Sequence, residues 1–181
     1  MAATQLFDQK TTLAPMRQAL SIQDIAETMR DSALAQARQK FSILGDVDLQ
    51  TLFGLPAFLD AFKHALACGV AGALAENDSS VQQVYTYDPS TNPDSESGDD
   101  LPPSATVHML VRVSQPSAAL EALIVSLDRA LVAKLETLPS AEFAKRTSFL
   151  DVNLLSDEAA QRGTGYAALL TSLFAPPLRI W

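Results

Sequence analysis

Hydrophobic and polar positions alternate most regularly over residues 105–113, with Val107, Met109, Val111 and Val113 on one side and Thr106, His108, Leu110 and Arg112 on the other. A period of two with β-branched residues predicts a strand. The period then lengthens: Leu120, Leu123, Ile124, Leu127, Leu131, Leu135 and Leu138 recur every three to four residues up to Pro139. Pro116 suits the first turn of this helix, where its missing N–H costs nothing. Over residues 149–155 the alternation returns, with Leu150, Val152 and Leu154 opposite Asp151 and Asn153.

Strand, long helix and strand in succession predict two parallel strands of one sheet joined by a right-handed crossover, the hand being set by strand twist. The helix then covers one face. Leu120, Ile124, Leu127 and Leu131 would pack on Val107, Met109, Val111, Val113, Leu150, Val152 and Leu154. The opposite face carries Thr106, His108, Arg112, Asp151 and Asn153.

Residues 81–87 predict a further strand, with Gln83, Tyr85 and Tyr87 on one side and Val84 on the other. With Val84 in the core, both tyrosines join the polar face. Upstream, Ser21 followed by Asp24 marks a helix start, and Ile22, Ile25, Met29 and Ala33 form its apolar face until the chain breaks before Gly45. Residues 46–54 predict a short helical turn. Pro56 then opens a strong helix, with Phe58, Leu59, Phe62, Leu66, Val70 and Leu74 at helical spacing up to Asn77. On it Ala65, Gly69 and Ala73 recur every four residues, so that another backbone can approach closely, either within the domain or across a subunit interface. Downstream, Ser156 caps a helix opened by Asp157 and Glu158, and Gly163 and Gly165 interrupt it. Tyr166, Leu169, Leu170 and Phe174 resume an apolar face, and residues 178–181 suit a short closing strand. The predicted fold is α+β: N-terminal helices, then a small mixed sheet in β-β-α-β-α-β order with a long helix on one face. Residues 1–20 form an arm, and residues 21–181 a single domain with an acidic loop at 88–104.

Composition narrows the partners. A chain of 181 residues with 48% hydrophobic residues is long enough for a real core, and its formal charge of −8 disfavours nucleic acid and anionic membrane surfaces. Neither is expected as a partner. The single cysteine, Cys68, lies in an apolar helical run and permits no internal disulfide. The N-terminus lacks the pattern of a signal peptide, and the most apolar stretch, residues 65–75, is too short to span a bilayer. A cytoplasmic protein is expected.

The acidic loop contains Asp88, Asp94, Glu96, Asp99 and Asp100, but the order Asp94, Glu96, Gly98, Asp99 lacks the spacing of a calcium loop. A solvated loop is the expectation. The two histidines, His64 and His108, stand in no metal-ligand spacing. Neither a metal nor a cofactor is expected. Gly163 and Gly165 beside Arg162 make too short a pattern for a phosphate loop, and Asp151 within a strand lacks the upstream Gly-Ser turn and paired acids of a nucleotidyltransferase-like site. What remains is the polar sheet face: Tyr85, Tyr87, His108, Arg112, Asp151 and Asn153. With the three strands adjacent, His108 would meet Asp151, which would orient its ring. Such a face suits a small polar ligand, a peptide, or an acid and base, although any half-exposed sheet is polar on its wet side.

The long helix also presents Ala118, Ala122, Val125, Val132 and Ala133, an apolar arc wider than one sheet face requires, to be covered either by the N-terminal helices or by a second subunit or partner. The expected function is non-enzymatic binding of another protein, or of copies of itself, within an oligomer or larger complex. The alternative is an enzyme or ligand-binding module, with His108 as acid or base, Asp151 orienting it and Arg112 holding an anion.

Overall fold

The computed structural model describes residues 20–87, 106–163, 165–172 and 176–181. Helix α1, Ile22–Lys40, starts at a capping box. The Ser21 hydroxyl accepts the Asp24 N–H at 3.2 Å, while the Asp24 carboxylate accepts the Ser21 N–H at 3.1 Å. Hydrogen bonds from the Ser21 hydroxyl and backbone hold the Asp24 carboxyl below its ordinary pKa. Asp48 caps α2, Leu49–Phe53, by accepting the Thr51 N–H at 3.0 Å. Helix α3, Pro56–Asn77, follows with its proline in the first turn.

The remaining elements are β1 (Val81–Thr86), β2 (Val107–Val113), α4 (Ala118–Leu135), β3 (Leu150–Ser156), α5 (Asp157–Arg162), a 3₁₀ helix (Gly165–Thr171) and β4 (Leu178–Arg179). The α+β class and the expected β-β-α-β-α-β order are those of the structure. One four-stranded mixed sheet has the order β3-β2-β1-β4. Strands β2 and β3 are parallel, from Val107 opposite Leu150 to Val113 opposite Ser156, and β1 is antiparallel to both β2 and β4.

Helix α4 differs from its predicted bounds at both ends. Ser117, not Pro116, provides the start, its hydroxyl accepting the Leu120 N–H at 3.1 Å, so the proline stands outside the helix. The helix ends at Leu135, leaving Leu138 beyond it. There the Thr137 hydroxyl donates to the Lys134 carbonyl at 2.6 Å, and Pro139 disfavours helical geometry at the residue before it.

The helix-facing side of the sheet is shared rather than covered by α4 alone. Helix α3 packs against β1 and β2. Phe58, Phe62, Leu66, Val70 and Leu74 join Leu127 and Leu131 in one core with Val84, Val107, Met109, Val111 and Val113. Helix α4 is tied to β3 by Asp128, whose carboxylate accepts the N–H groups of Phe149 and Leu150, both at 2.8 Å. At one end of the core Phe53 lies edge-on to Phe58, Phe62 and Phe143, with centroids 5.5, 5.2 and 5.0 Å away. This cluster anchors the connection that leads into β3. By length and composition α3 could cross a bilayer, yet 56% of its most apolar window is buried inside this fold.

Helices α1 and α3 run antiparallel, with Phe41 at the end of α1 lying 6.0 Å from Phe58 near the start of α3. Midway, Met29 sits against Gly69, where an added Cβ would meet the Met29 Cγ at 3.3 Å. Extending that register sets the buried Ala33 level with the buried Ala65. The Glu27 carboxylate of α1 also accepts from the Lys134 Nζ of α4 at 2.6 Å.

Gly69→Leu is expected to lower stability by about 1–3 kcal/mol through overpacking against Met29. Gly72 has nothing within 4 Å of an added Cβ, so Gly72→Ala serves as the helical control. That control is expected to raise stability by about 0.5–1 kcal/mol through helix propensity. Urea unfolding of the two variants checks the contrast.

Candidate functional site

The register of three strands brings the predicted residues to one sheet face. Tyr85 stands opposite Leu110, Gln83 opposite Arg112, and the Tyr87 N–H donates to the His108 carbonyl at 3.2 Å. Across the parallel ladder His108 pairs with Asp151, Leu110 with Asn153, and Arg112 with Leu155. Sharing a face does not make one site. A rise of about 3.3 Å per residue separates His108 from Arg112 by about 13 Å along β2.

Between them the face is apolar and covered. Leu110, Leu155 and Ala167 form a second buried cluster, with Tyr85, Tyr87, Leu169 and Leu170 packed around it. The cover arises locally. Ser156 ends β3 and caps α5, its hydroxyl accepting the Ala159 N–H at 3.1 Å, and Gly163 ends α5 at a left-handed φ of +63° that favours glycine. The following 3₁₀ helix then places Ala167 on the sheet. Gly163 therefore acts as a helix C-cap, and the expectation of an uncovered polar face holds only at the His108 end, because α5 brings Asp157 onto Arg112 at the other.

At the first end, the His108 Nδ1 lies 2.8 Å from the Asp151 Oδ2. A carboxylate accepts, so Nδ1 carries the proton of this bond. The Asn153 Nδ2 donates to the Tyr87 hydroxyl at 3.3 Å and reaches the Asp151 Oδ1 at 3.5 Å. The Tyr87 ring lies 5.5 Å from His108 and 6.3 Å from Tyr166, centroid to centroid. Burial, then the charges of Asp151 and Tyr166, pushes the Tyr87 phenol up to about 12, against the opposing effect of its bond with Asn153. Tyr87 thus remains neutral across the physiological range. The His108 side chain is 18% exposed and that of Asp151 46%, so the pair is open to a ligand from one side.

At the second end, the Arg112 Nε donates to the Asp157 Oδ1 at 2.8 Å, and the Gln82 amide donates to the Asp157 Oδ2 at 3.1 Å. These two hydrogen bonds, Arg112 first, hold the Asp157 carboxyl below its ordinary pKa. The Tyr85 hydroxyl donates to the Gln83 Oε1 at 2.7 Å, which Arg112 also approaches at 3.5 Å. The anion expected at Arg112 is therefore supplied by the chain itself, and the contact ties α5 to β1 and β2.

Ala65, Gly69 and Ala73 lie on the helical side, away from this face. Gly69 meets Met29 of α1, Ala65 is buried, and Ala73 packs against the main core. Next to them the Cys68 Sγ is 3.8 Å from the His64 Nε2, and burial pushes the Cys68 thiol up. Among the described residues no three His, Cys, Asp or Glu side chains are arranged to hold a metal ion. The acidic loop at 88–104, the arm up to residue 19 and Phe174 lie outside the described residues. Sequence reasoning missed Asp157 and Tyr166 as partners on the face. Asp157 is legible only as a first-turn acid of α5, and nothing in the sequence joins it to Arg112 across 45 residues. No protein-family model, curated protein or solved structure matches the chain.

Tyr87 gives the site a pH signature. Its folded pKa of about 12 exceeds the ordinary 10.0, so between these values the unfolded chain has released a proton that the folded chain retains. The stability it contributes is complete below pH 10 and is lost as pH rises through about 12. Thermal unfolding is expected to fall more steeply over that window in the wild type than in Tyr87→Phe. Absorbance titration should show the corresponding phenolate step missing from the variant.

Proposed function

We propose that the chain binds another protein, without catalysis, through the connector between α1 and α3. The observation that carries this reading is exposure of apolar side chains. Leu44 is 91% exposed, Leu55 52%, Phe41 42% and Val47 37%; these are four of the nine exposed large apolar residues among those described, and all fall within residues 41–55. The antiparallel pairing of α1 and α3 sets this connector at one end of the hairpin, where Phe41 lies against the buried Phe58. Burying one leucine fully is worth roughly 1.5–3 kcal/mol, so a partner covering several has a substantial driving force.

Polar groups rim the patch. Arg38 donates to the Val47 carbonyl at 3.2 Å, and a shallow hollow of about 440 Å³ is lined by Arg38, Asp46, Val47, Asp48, Leu49 and Pro139. An apolar centre with a polar edge is the usual anatomy of a protein contact. The polar sheet face offers less, because Arg112 is turned to Asp157 and its centre is covered by Ala167.

A photo-crosslinking residue at position 44 is expected to give a discrete adduct in an extract of the source cells. Adding Leu55→Asp should remove that adduct, and the same probe at the exposed Ala133 should give none. Substituting these surface positions is expected to change stability by no more than about 0.5 kcal/mol. Equal labelling from positions 44 and 133 would count against the reading.

One observation favours a second reading: the 2.8 Å contact between His108 and Asp151 beside the Tyr87 ring suits a small polar ligand. Thermal unfolding against nucleotides, sugars and organic acids tests it. A ligand at a hundred times its dissociation constant should add about 2.7 kcal/mol of apparent stability, and His108→Ala should abolish the gain. A panel that moves neither protein removes this reading.

A further inference from the structure

We infer that two copies of this chain associate through the outer edge of β3, which pairs antiparallel with its symmetry mate about a two-fold axis at Asn153. The inference names a second copy as partner at a surface other than the apolar connector, and it stands or falls separately from that site.

Among the described residues β3 is the last strand on its side of the sheet. The Val107 N–H donates to the Phe149 carbonyl at 2.9 Å, and this sets the phase of the parallel ladder. Asp151, Asn153 and Leu155 therefore turn their peptide groups toward β2, while Leu150, Val152 and Leu154 turn theirs outward. The outward N–H of Leu150 is taken by Asp128, and its carbonyl accepts from the Ser148 hydroxyl at 3.1 Å. At the other end Ser156 leaves the strand to cap α5. The open stretch is thus bounded on both sides and centred on Asn153.

That stretch is self-complementary. Turned about Asn153, Val152 falls opposite Leu154 of the second copy and Leu154 opposite its Val152. Both positions have outward peptide groups, so each pair can exchange two hydrogen bonds. Their side chains, half-exposed in the single chain, share the helix-facing side of the sheet and become apolar cross-strand pairs. The same rotation keeps the two Asp151 carboxylates apart, because each faces a Leu155. Of the usual protections of an edge, β3 lacks three: it has no lysine, no proline and no bulge in its pairing with β2.

Helix α4 supports the same surface. Val125 lies one turn before Asp128, the residue that marks the β3 edge, and is 48% exposed. Association of two copies joins the sheets into one of eight strands and gives this flank an apolar counterpart.

Sedimentation velocity of the full chain is expected to show a mass twice that of the 19.4 kDa monomer, with dissociation on dilution. Val152→Lys, which sets charges on the edge, should convert the dimer to monomer with unchanged circular dichroism. A cross-link tests the register without depending on that variant. At the axis two Asn153 residues form a non-hydrogen-bonded pair with Cα atoms about 4.5 Å apart, within disulfide range. In a Cys68→Ser background, Asn153→Cys treated with oxidised glutathione should become a covalent dimer, whereas Ser148→Cys should not. A monomer at every concentration overturns the inference. So does a dimer that cross-links equally well from position 148, or not at all from position 153.

Discussion

The in-register parallel ladder between β2 and β3 positions most of what matters in this molecule. Parallel strands cannot be joined by a tight turn, so the ladder requires a long crossover, and α4 supplies it. The register that sets Val107 against Leu150 also sets His108 against Asp151, close enough for a 2.8 Å hydrogen bond. Its phase decides which peptide groups of β3 face inward. A slip of one residue would send Val152 and Leu154 to the polar face and Asp151 into the core. The apolar alternation makes that slip costly, and so protects the polar pair as well.

The polar face is governed by competition between its own groups and the C-terminal segment. Arg112 and Gln82 hold Asp157, and through it the start of α5. Once α5 is placed, the left-handed Gly163 returns the chain over Leu110 and Leu155. A face that alternation alone would leave wet is divided into an ion-paired end, an apolar centre and a half-open end around His108. The division matters for function, because the cation best suited to an external anion already has an internal one.

On the helical side, close approach of α1 and α3 permits a compact layer above the sheet. Gly69 makes room for Met29, and buried Ala26, Ala33 and Ala37 keep α1 near its neighbours. The connector between them buries Leu52 and Phe53 but leaves Phe41, Leu44, Val47 and Leu55 at the surface. Exposed apolar area of this kind is the main argument for a protein partner.

Local pattern by itself determined the elements and their order. Period-two alternation marked β2 and β3, leucine spacing marked α4, and Ser21 with Asp24 marked the start of α1, because side-chain periodicity and capping act over a few residues. The pairing of His108 with Asp151 was also legible, since a strand, crossover and strand has few possible registers once its apolar face is buried. Only the tertiary structure decided that Gly69 meets Met29 of α1, that α3 shares the sheet with α4, and that Arg112 is paired with Asp157 rather than left for a ligand. Each of these depends on distant segments meeting. The spacing of residues along a chain carries no information about which distant charge or helix will arrive first at an open surface.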